Sequence, residues 1–148
     1  MNSCIFCKII SNEIPSVKVY ETENVLAFLD INPVEKGHLL VIPKRHWESL
    51  DATPLSDPDV AAVFDELTRA VHLLTRAVRS FADGANVLQA NGAAAGQTVW
   101  HLHFHIIPRH GDGSSPPAWK SGAGQYASEA ERNAFADEIR EGIKELRS

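Results

Sequence analysis

Three histidines stand at alternate positions in the stretch Val99-Trp100-His101-Leu102-His103-Phe104-His105-Ile106-Ile107-Pro108. Because a β-strand points successive side chains to opposite faces, this spacing predicts a strand over residues 99–107 with all three imidazoles on one face. The apolar side chains between them are then expected to pack in the core. A lone strand histidine is more often structural, but three in strict alternation favour a chemical role.

The elements around this stretch predict an α+β fold. Short apolar and β-branched runs predict four further strands, at residues 16–20, 24–30, 38–42 and 87–90. Apolar residues at helical spacing predict a long helix that begins at Pro58 and ends by Gly84, and a second helix that opens at Ser128. We therefore expect an antiparallel sheet of about five strands, with the long central helix and the C-terminal helix on one side.

Length and composition fit a single domain over residues 1–148. The chain has 148 residues, of which 44% are hydrophobic and 22% charged, which suffices for one core. Fourteen Lys and Arg against 19 Asp and Glu give a net charge of -5, so a nucleic-acid partner is not expected. Neither a membrane-spanning stretch nor a signal-peptide pattern is found, and we expect no membrane association and a cytoplasmic location.

A row of histidines suits two kinds of site. A catalytic metal often uses two or three histidines, but a rise of about 3.3 Å per residue separates the backbones of His101 and His105 by roughly 13 Å. In a phosphate site, a neutral imidazole attacks phosphorus while its neighbours donate to the phosphate oxygens or protonate the leaving group. The linear row favours the phosphate site.

The two cysteines, Cys4 and Cys7, are three positions apart. This spacing lets two thiolates bind one tetrahedral ion, and in a reducing compartment it suggests a metal or redox role. A thioredoxin-like redox pair would follow a strand and open a helix, and no strand is predicted before Cys4. The spacing alone leaves a metal site and a pair of free thiols open.

Five further segments accompany the histidines in an order typical of one family. They are Cys4-Ile-Phe-Cys-Lys-Ile-Ile, Glu13-Ile-Pro, Leu26-Ala-Phe-Leu-Asp-Ile, Gly37-His-Leu-Leu-Val-Ile-Pro-Lys-Arg-His and Ala95-Gly-Gln-Thr-Val. With the histidine row they cover about residues 4–109, and together they resemble the histidine triad (HIT) superfamily of nucleotide hydrolases and transferases, in the bacterial type with an N-terminal CxxC. The resemblance implies a HIT-like fold, a purine nucleotide such as AMP as ligand, and no organic cofactor.

The resemblance implies a two-step reaction in which the middle histidine, His103, attacks the α-phosphorus of a nucleotide. The nucleotidyl-histidine is then hydrolysed by water. His105 matches the donor to a phosphate oxygen or the leaving group, His38 matches a fourth histidine beside the same phosphate, and His101 matches the first member of the triad.

The resemblance also implies nucleotide contacts. Asp30 matches a carboxylate that accepts both ribose hydroxyls, and Gly96-Gln97-Thr98 resembles a phosphate-binding loop in which small residues let the backbone approach closely. An apolar slot for the base is matched by Ile5, Phe6, Ile9, Phe28 and Ile31. These five residues could equally be plain core. Relatives often carry Asn or Gln where this chain has Ala90, and the neighbouring Asn91 is the candidate for that contact.

In part of the superfamily an equivalent CxxC joins two histidines around a structural zinc. The resemblance matches these ligands to Cys4, Cys7, His46 and His101, which would close a four-ligand site with no position left for substrate. The alternative is that the cysteines are free thiols and His46 is a surface residue.

The resemblance further implies a homodimer. The long helix carries small apolar residues, Ala61, Ala62 and Ala70, beside its larger stripe, so a second face could pack on a symmetry mate. The leading hypothesis is therefore a homodimeric nucleoside-phosphate hydrolase. A nucleotide-binding regulatory or scaffold protein with negligible turnover is the alternative.

Two substrate classes fit the leading hypothesis, AMP-type phosphoramidates and dinucleoside polyphosphates. A polyphosphate leaving group favours Lys, Arg or a divalent cation near the exit, whereas an amine needs only a proton. The chain offers only Arg109, His110 and Lys120 there. We therefore favour phosphoramidates or similar AMP esters with small leaving groups.

Overall fold

The computed structural model describes residues 3–148, which form a five-stranded antiparallel sheet and three α-helices. The helices and strands are α1 (Ile5–Ile10), β1 (Lys18–Glu21), β2 (Val25–Leu29), β3 (Leu39–Pro43), α2 (Pro58–Arg79), β4 (Gly84–Leu88), β5 (Phe104–Arg109) and α3 (Glu129–Arg147). The strands lie in the order β1-β2-β3-β5-β4. The predicted α+β class, sheet and two long helices are confirmed. Among the helices of residues 3–148, none combines the length and apolar character that crossing a bilayer requires.

The two long helices cover one face of the sheet. Leu67 and Leu74 of α2 and Ile139 of α3 lie in one buried apolar cluster with Leu39 and Val41 of β3. These strand residues are two apart, as expected for side chains that share a face. The largest apolar cluster of the chain therefore lies between the sheet and α2 and α3.

The opposite face carries a smaller apolar cluster beneath α1. Phe6 and Ile9 of this helix pack on Phe28 and Leu40 of the sheet. The Sγ atom of Cys4 caps the first turn of α1 by accepting a backbone hydrogen bond. No helix was expected at α1, because six residues are too few for a helical period to stand out.

The strand that carries the triad is shorter than predicted. β5 begins at Phe104, whereas the prediction covered residues 99–107, so His105 lies in the strand and His101 and His103 precede it. The prediction that all three imidazoles alternate along one strand is wrong for the first two. The loop before β5 therefore determines how the side chains of His101 and His103 are oriented.

Hydrogen bonding explains this late start. The ladder between β3 and β5 ends with the pair Val41 and Phe104. Before that pair, the N–H of Leu102 donates instead to the carbonyl of Trp47, at 2.7 Å. The chain therefore leaves the sheet while its backbone remains paired.

Strand β4 also differs from its prediction. It spans Gly84–Leu88 rather than residues 87–90, and its partners on β5 run from Arg109 to His105. Gly and Asn have low strand propensity, so the first part of β4 gave no local signal. Pairing with β5 overrides that propensity.

Candidate active site and metal centre

A cavity of about 610 Å³ opens on the face of the sheet that carries α1. Its floor is a row of four side chains, Phe28, Leu40, His105 and Leu88, which the strand register places opposite one another on β2, β3, β5 and β4. Side chains of α1 form a wall. The cavity thus combines an apolar surface with a histidine.

Most of the predicted nucleotide contacts line this cavity. They are Ile5, Phe6, Ile9, Phe28, Asp30, Ile31, Gly96, Thr98, His103 and His105. Of the apolar residues, Phe6, Ile9 and Phe28 are buried in the small cluster and also line the cavity, whereas Ile31 is 76% exposed. For the three buried side chains, core packing and a place in the slot are compatible.

Two predicted contacts lie elsewhere. The side chain of Gln97 is buried, and its Nε2 donates to the carbonyl of Glu48 at 2.7 Å. The Oδ1 of Asn91 accepts a hydrogen bond from the N–H of Leu50 at 2.8 Å. These two amides stabilise the loop before β5, and Ala90, not Asn91, is the residue that lines the cavity.

A backbone carbonyl fixes the proton of His103. Its Nδ1 lies 2.6 Å from the carbonyl oxygen of His101, and because a carbonyl only accepts, Nδ1 carries the hydrogen. Nε2 of the neutral ring therefore keeps its lone pair. Burial lowers the pKa of His103 below its ordinary value of 6.5, which favours the neutral ring. This is the form in which an imidazole attacks phosphorus.

The backbone N–H of Val34 fixes the tautomers of two neighbouring histidines, His38 and His105. The N–H of Val34 donates to Nδ1 of His38 at 3.0 Å, so a neutral His38 carries its proton on Nε2. That Nε2 lies 2.9 Å from Nδ1 of His105 and donates to it. His105 consequently carries its own proton on Nε2 and is left with one N–H to donate.

Burial keeps both of these rings neutral. It lowers the pKa of His38 to about 4, against the opposing effect of the Asp30 carboxylate, whose Oδ2 lies 3.5 Å from His38 Nε2. Burial, together with the smaller effects of the neighbouring His103 and His38, lowers the pKa of His105 to about 3. A negatively charged ligand would raise these pKa values, because it favours the protonated rings.

The four predicted metal ligands converge beside the N-terminus of α1. The donor atoms of Cys4, Cys7, His46 and His101, called the Cys/His cluster below, lie within 4.8 Å of one another. Nδ1 of His46 is 3.2 Å from Nδ1 of His101 and 3.3 Å from Sγ of Cys7. Nδ1 of His101 is 3.5 Å from Sγ of Cys4. Tetrahedral zinc sets such ligands about 3.3–3.6 Å apart, so the separations fit.

The tautomer of His101 also suits a metal ligand. Its Nε2 donates to the carbonyl of Pro43 at 2.8 Å, which leaves the lone pair of Nδ1 directed at the cluster. The ring is fully buried and does not line the cavity. His101, expected both as a catalytic residue and as a ligand, therefore meets the cavity through its carbonyl bond to His103 and through the ring of Phe6, without lining it.

A second group of possible metal donors is Asp30, His38 and His105, of which Asp30 and His105 line the cavity and the buried His38 does not. Here the bond from Val34 holds a proton on His38 Nε2, which faces His105 as a donor and not as a ligand. Within residues 3–148, the Cys/His cluster is the group whose fixed lone pair fits a cation. Burial raises the pKa of the Cys7 thiol to about 11, so a metal must displace its proton.

The HIT domain family matches residues 11–112 of the chain. The chain belongs to this family. A relative from Bacillus subtilis, named Protein hit, is 49% identical over 138 residues, with 88% of each chain covered. Adenosine 5'-monophosphoramidase hnt1 of Schizosaccharomyces pombe is 42% identical over 146 residues, which cover 96% of this chain and 99% of that relative. A crystal structure of a zinc-bound histidine triad family protein from Mycobacterium smegmatis superposes with a TM-score of 0.81 at 33% identity, covering 99% and 96% of the two chains.

Among the residues that line the cavity of this HIT protein and were not predicted from sequence, two lie in a long loop. Trp119 and Ser121 belong to the Gly-, Ser- and Pro-rich loop after β5. The ring of Trp119 stacks on the guanidinium of Arg109, 4.9 Å from the ring centroid. A tryptophan in such a loop was the available signal, because a large aromatic side chain there is often held by a contact or a ligand.

Proposed function

We propose that this HIT protein hydrolyses AMP-type phosphoramidates or related nucleoside phosphates through a nucleotidyl-histidine on His103. The observation that carries the proposal is the 2.6 Å bond from His103 Nδ1 to the His101 carbonyl, which leaves Nε2 as a nucleophile in the cavity. The relative named adenosine 5'-monophosphoramidase, which matches nearly the whole chain, supports the same chemistry.

The nucleotide binds with its base in the apolar slot. Phe6, Ile9 and Phe28 offer the flat apolar surface that a purine needs, and Asp30 accepts the ribose hydroxyls. The N–H of Asn32 donates to Oδ1 of Asp30 at 2.8 Å and so orients the carboxylate. The α-phosphate then lies at His103.

The proposed reaction has two steps, and His105 exchanges the protons in both. The phosphate charge raises the pKa of His105 on binding and so favours the doubly protonated ring. Nε2 of His103 forms a bond to the α-phosphorus while the bond from phosphorus to the leaving nitrogen breaks, and that nitrogen takes a proton from Nε2 of the protonated His105, which becomes neutral. Water then attacks phosphorus and gives a proton back to His105, the bond to His103 breaks, and AMP leaves.

The leaving group is small and needs a proton. The cavity lining described in residues 3–148 contains no lysine or arginine that would hold a polyphosphate. The guanidinium of Arg109 stacks on Trp119 of the cavity lining and donates to Oδ1 of Asn86. An amine that leaves with the proton of His105 fits this surface better than a polyanion.

Turnover of adenosine 5'-phosphoramidate, measured beside AMP binding, tests the proposal. Release of AMP and amine at many turnovers per chain supports the hydrolase. Tight AMP binding without turnover supports instead a regulatory or scaffold protein. No AMP binding at all contradicts both.

The Cys/His cluster holds a structural zinc in this proposal. Cys4, Cys7, His46 and His101 would supply all four ligands, so zinc adds a rigid crosslink and has no open position for substrate. The zinc-bound relative from Mycobacterium smegmatis supports a zinc site in this branch of the family.

The proposal extends to the whole chain and to a second copy. Residues 1–148 act as a single HIT domain, because α3, beyond the matched range, packs in the same apolar cluster as α2. The homodimer uses the open edge of β4, where Val87 is 46% exposed. Ala61 and Ala62 are exposed on α2, but Ala70 is buried in the core and takes no part in a second face.

A further inference from the structure

We propose that the Cys/His cluster holds α1 as a wall of the nucleotide cavity, so that metal binding and nucleotide binding strengthen each other. The inference rests on the proposed function. It gives His101 the role of a positioning residue, which acts on the nucleotide through its neighbours, and makes Phe6 of the base slot the side chain that contacts both sites.

At the start of α1, residues of the Cys/His cluster flank residues of the cavity along the chain. Cys4 precedes the helix and Cys7 lies in it, while Ile5 and Phe6, between the two cysteines, line the cavity. A helix of six residues is not stable in isolation, because its nucleation cost is not repaid over so few hydrogen bonds. Tertiary contacts must therefore hold α1, and two ligands to one ion at its first turn are the strongest contacts available.

The ring of Phe6 contacts both sites directly. Its centroid lies 5.8 Å from that of His101 in the Cys/His cluster and 5.2 Å from that of His103 in the cavity, in edge-on geometry. It also lies 5.5 Å from the ring of Phe28 on the cavity floor. A displacement of Phe6 therefore changes the base slot and the packing of the nucleophile together.

His101 forms a second link. Its imidazole belongs to the cluster, and its carbonyl accepts the hydrogen bond that fixes the tautomer of His103. A metal that holds the ring of His101 also limits the movement of this carbonyl. Loss of the metal frees both α1 and the acceptor that orients the nucleophile.

Thermodynamic linkage makes the inference measurable in two directions. If zinc raises the affinity for AMP by some factor, AMP raises the affinity for zinc by the same factor. We expect about tenfold, within the range typical of coupled sites. The coupling is a property of binding, so it is detected without following the reaction.

The first measurement is AMP affinity by calorimetry, on protein that elemental analysis finds to hold one zinc per chain and on the same protein after chelation. The second is the rate at which the zinc-loaded protein transfers zinc to a chromophoric chelator, with and without saturating AMP. This second measurement starts from the folded, loaded protein and needs no stable metal-free form. We expect AMP to bind about tenfold more weakly without zinc and to slow zinc transfer by a similar factor.

Two variants of α1 separate the link from general packing. Phe6→Leu keeps an apolar side chain but removes the ring contacts, so it should retain one zinc and lose most of the protection by AMP. Ile10→Val, in the same helix and outside the cavity lining, should retain both. Asp30→Asn weakens the ribose contact without touching the cluster and should remove the protection at AMP concentrations that saturate the wild type.

Equal AMP affinity with and without zinc, together with zinc transfer that AMP does not slow, overturns the inference and leaves the proposed function intact. Absence of AMP binding to the zinc-loaded protein contradicts the proposed function, and the inference with it. A chain that binds no zinc when offered it overturns the inference and the structural zinc, and leaves the proposed hydrolysis intact.

Discussion

The carbonyl of His101 accepts a 2.6 Å hydrogen bond from Nδ1 of His103, and Nδ1 of the same His101 lies 3.5 Å from Sγ of Cys4. One residue thus joins the Cys/His cluster to His103. In the proposed reaction the three histidines of the triad have separate tasks: His101 orients, His103 attacks and His105 donates a proton. Different hydrogen-bond partners, the carbonyls of Pro43 and His101 and the ring of His38, fix their tautomers.

His105→Asn should slow the reaction in a way that depends on the leaving group. An amide side chain cannot transfer the proton that an amine requires. The p-nitrophenolate released from a p-nitrophenyl ester of AMP is a stable anion and needs no proton. We expect kcat for adenosine 5'-phosphoramidate to fall by about 10²–10⁴-fold and kcat for the ester to fall far less. His72→Asn, on the helix that covers the opposite face, is the control. Equal losses for both substrates would exclude His105 as the proton donor.

Phosphoramidates should be better substrates than diadenosine polyphosphates. The described cavity lining has no lysine or arginine for a polyanionic leaving group, so kcat/KM should favour the amine. The check is a side-by-side comparison with and without magnesium, since a divalent cation could replace the missing side chains. A tenfold preference for the dinucleotide would reverse the substrate assignment and leave His103 as the nucleophile.

Stability should fall in mild acid because of the buried histidines. The pKa of His105 is about 3 in the folded protein and near 6.5 in the unfolded chain, so only the unfolded chain binds a proton between these values. The free energy of unfolding is therefore unaffected by this group above about pH 7 and decreases as the pH falls through 6 towards 3. At pH 5 the loss from one such histidine is roughly 2 kcal/mol.

Urea unfolding at pH 8 and pH 5, with zinc present, measures this effect. His105→Asn should lose less stability than the wild type between the two pH values. His72→Asn, outside the site, should behave like the wild type. The same pH dependence in the wild type and His105→Asn would mean that His105 is not held neutral by the fold.

Light scattering at micromolar concentration should give the mass of a dimer. Val87→Lys places a charge on the open edge of β4 and should give a monomer. Leu55→Lys, at a side chain that is 96% exposed away from that edge, should remain dimeric. A monomer mass for the wild type would contradict the homodimer.

Local patterns in the sequence drew attention to the histidine row and the CxxC, which are visible within a few positions. The family resemblance, and not a local pattern, singled out His103 as the predicted nucleophile. The partners that give each residue its role could not be read locally. Val34, which fixes the proton of His38, and Pro43, which fixes that of His101, act through backbone groups that only the fold brings into contact.

The errors have a related cause. Alternation along residues 99–107 is a local period, but the start of β5 is decided by pairing with β3 and by the bond from Leu102 to Trp47. Asn91 is next to the position where relatives carry Asn or Gln, yet its amide is used by the N–H of Leu50. In both cases a long-range backbone group outweighs the local pattern.

The most direct test of the account is to look for the covalent intermediate on His103. Adenosine 5'-phosphoramidate is mixed with excess enzyme, the reaction is quenched in base within one turnover, and the protein is analysed by mass spectrometry. We expect one adenylyl group on the peptide that contains His103, and none in His103→Asn, which should still bind AMP and lose turnover. Turnover of His103→Asn within tenfold of the wild type, with no adduct in either protein, would contradict the account.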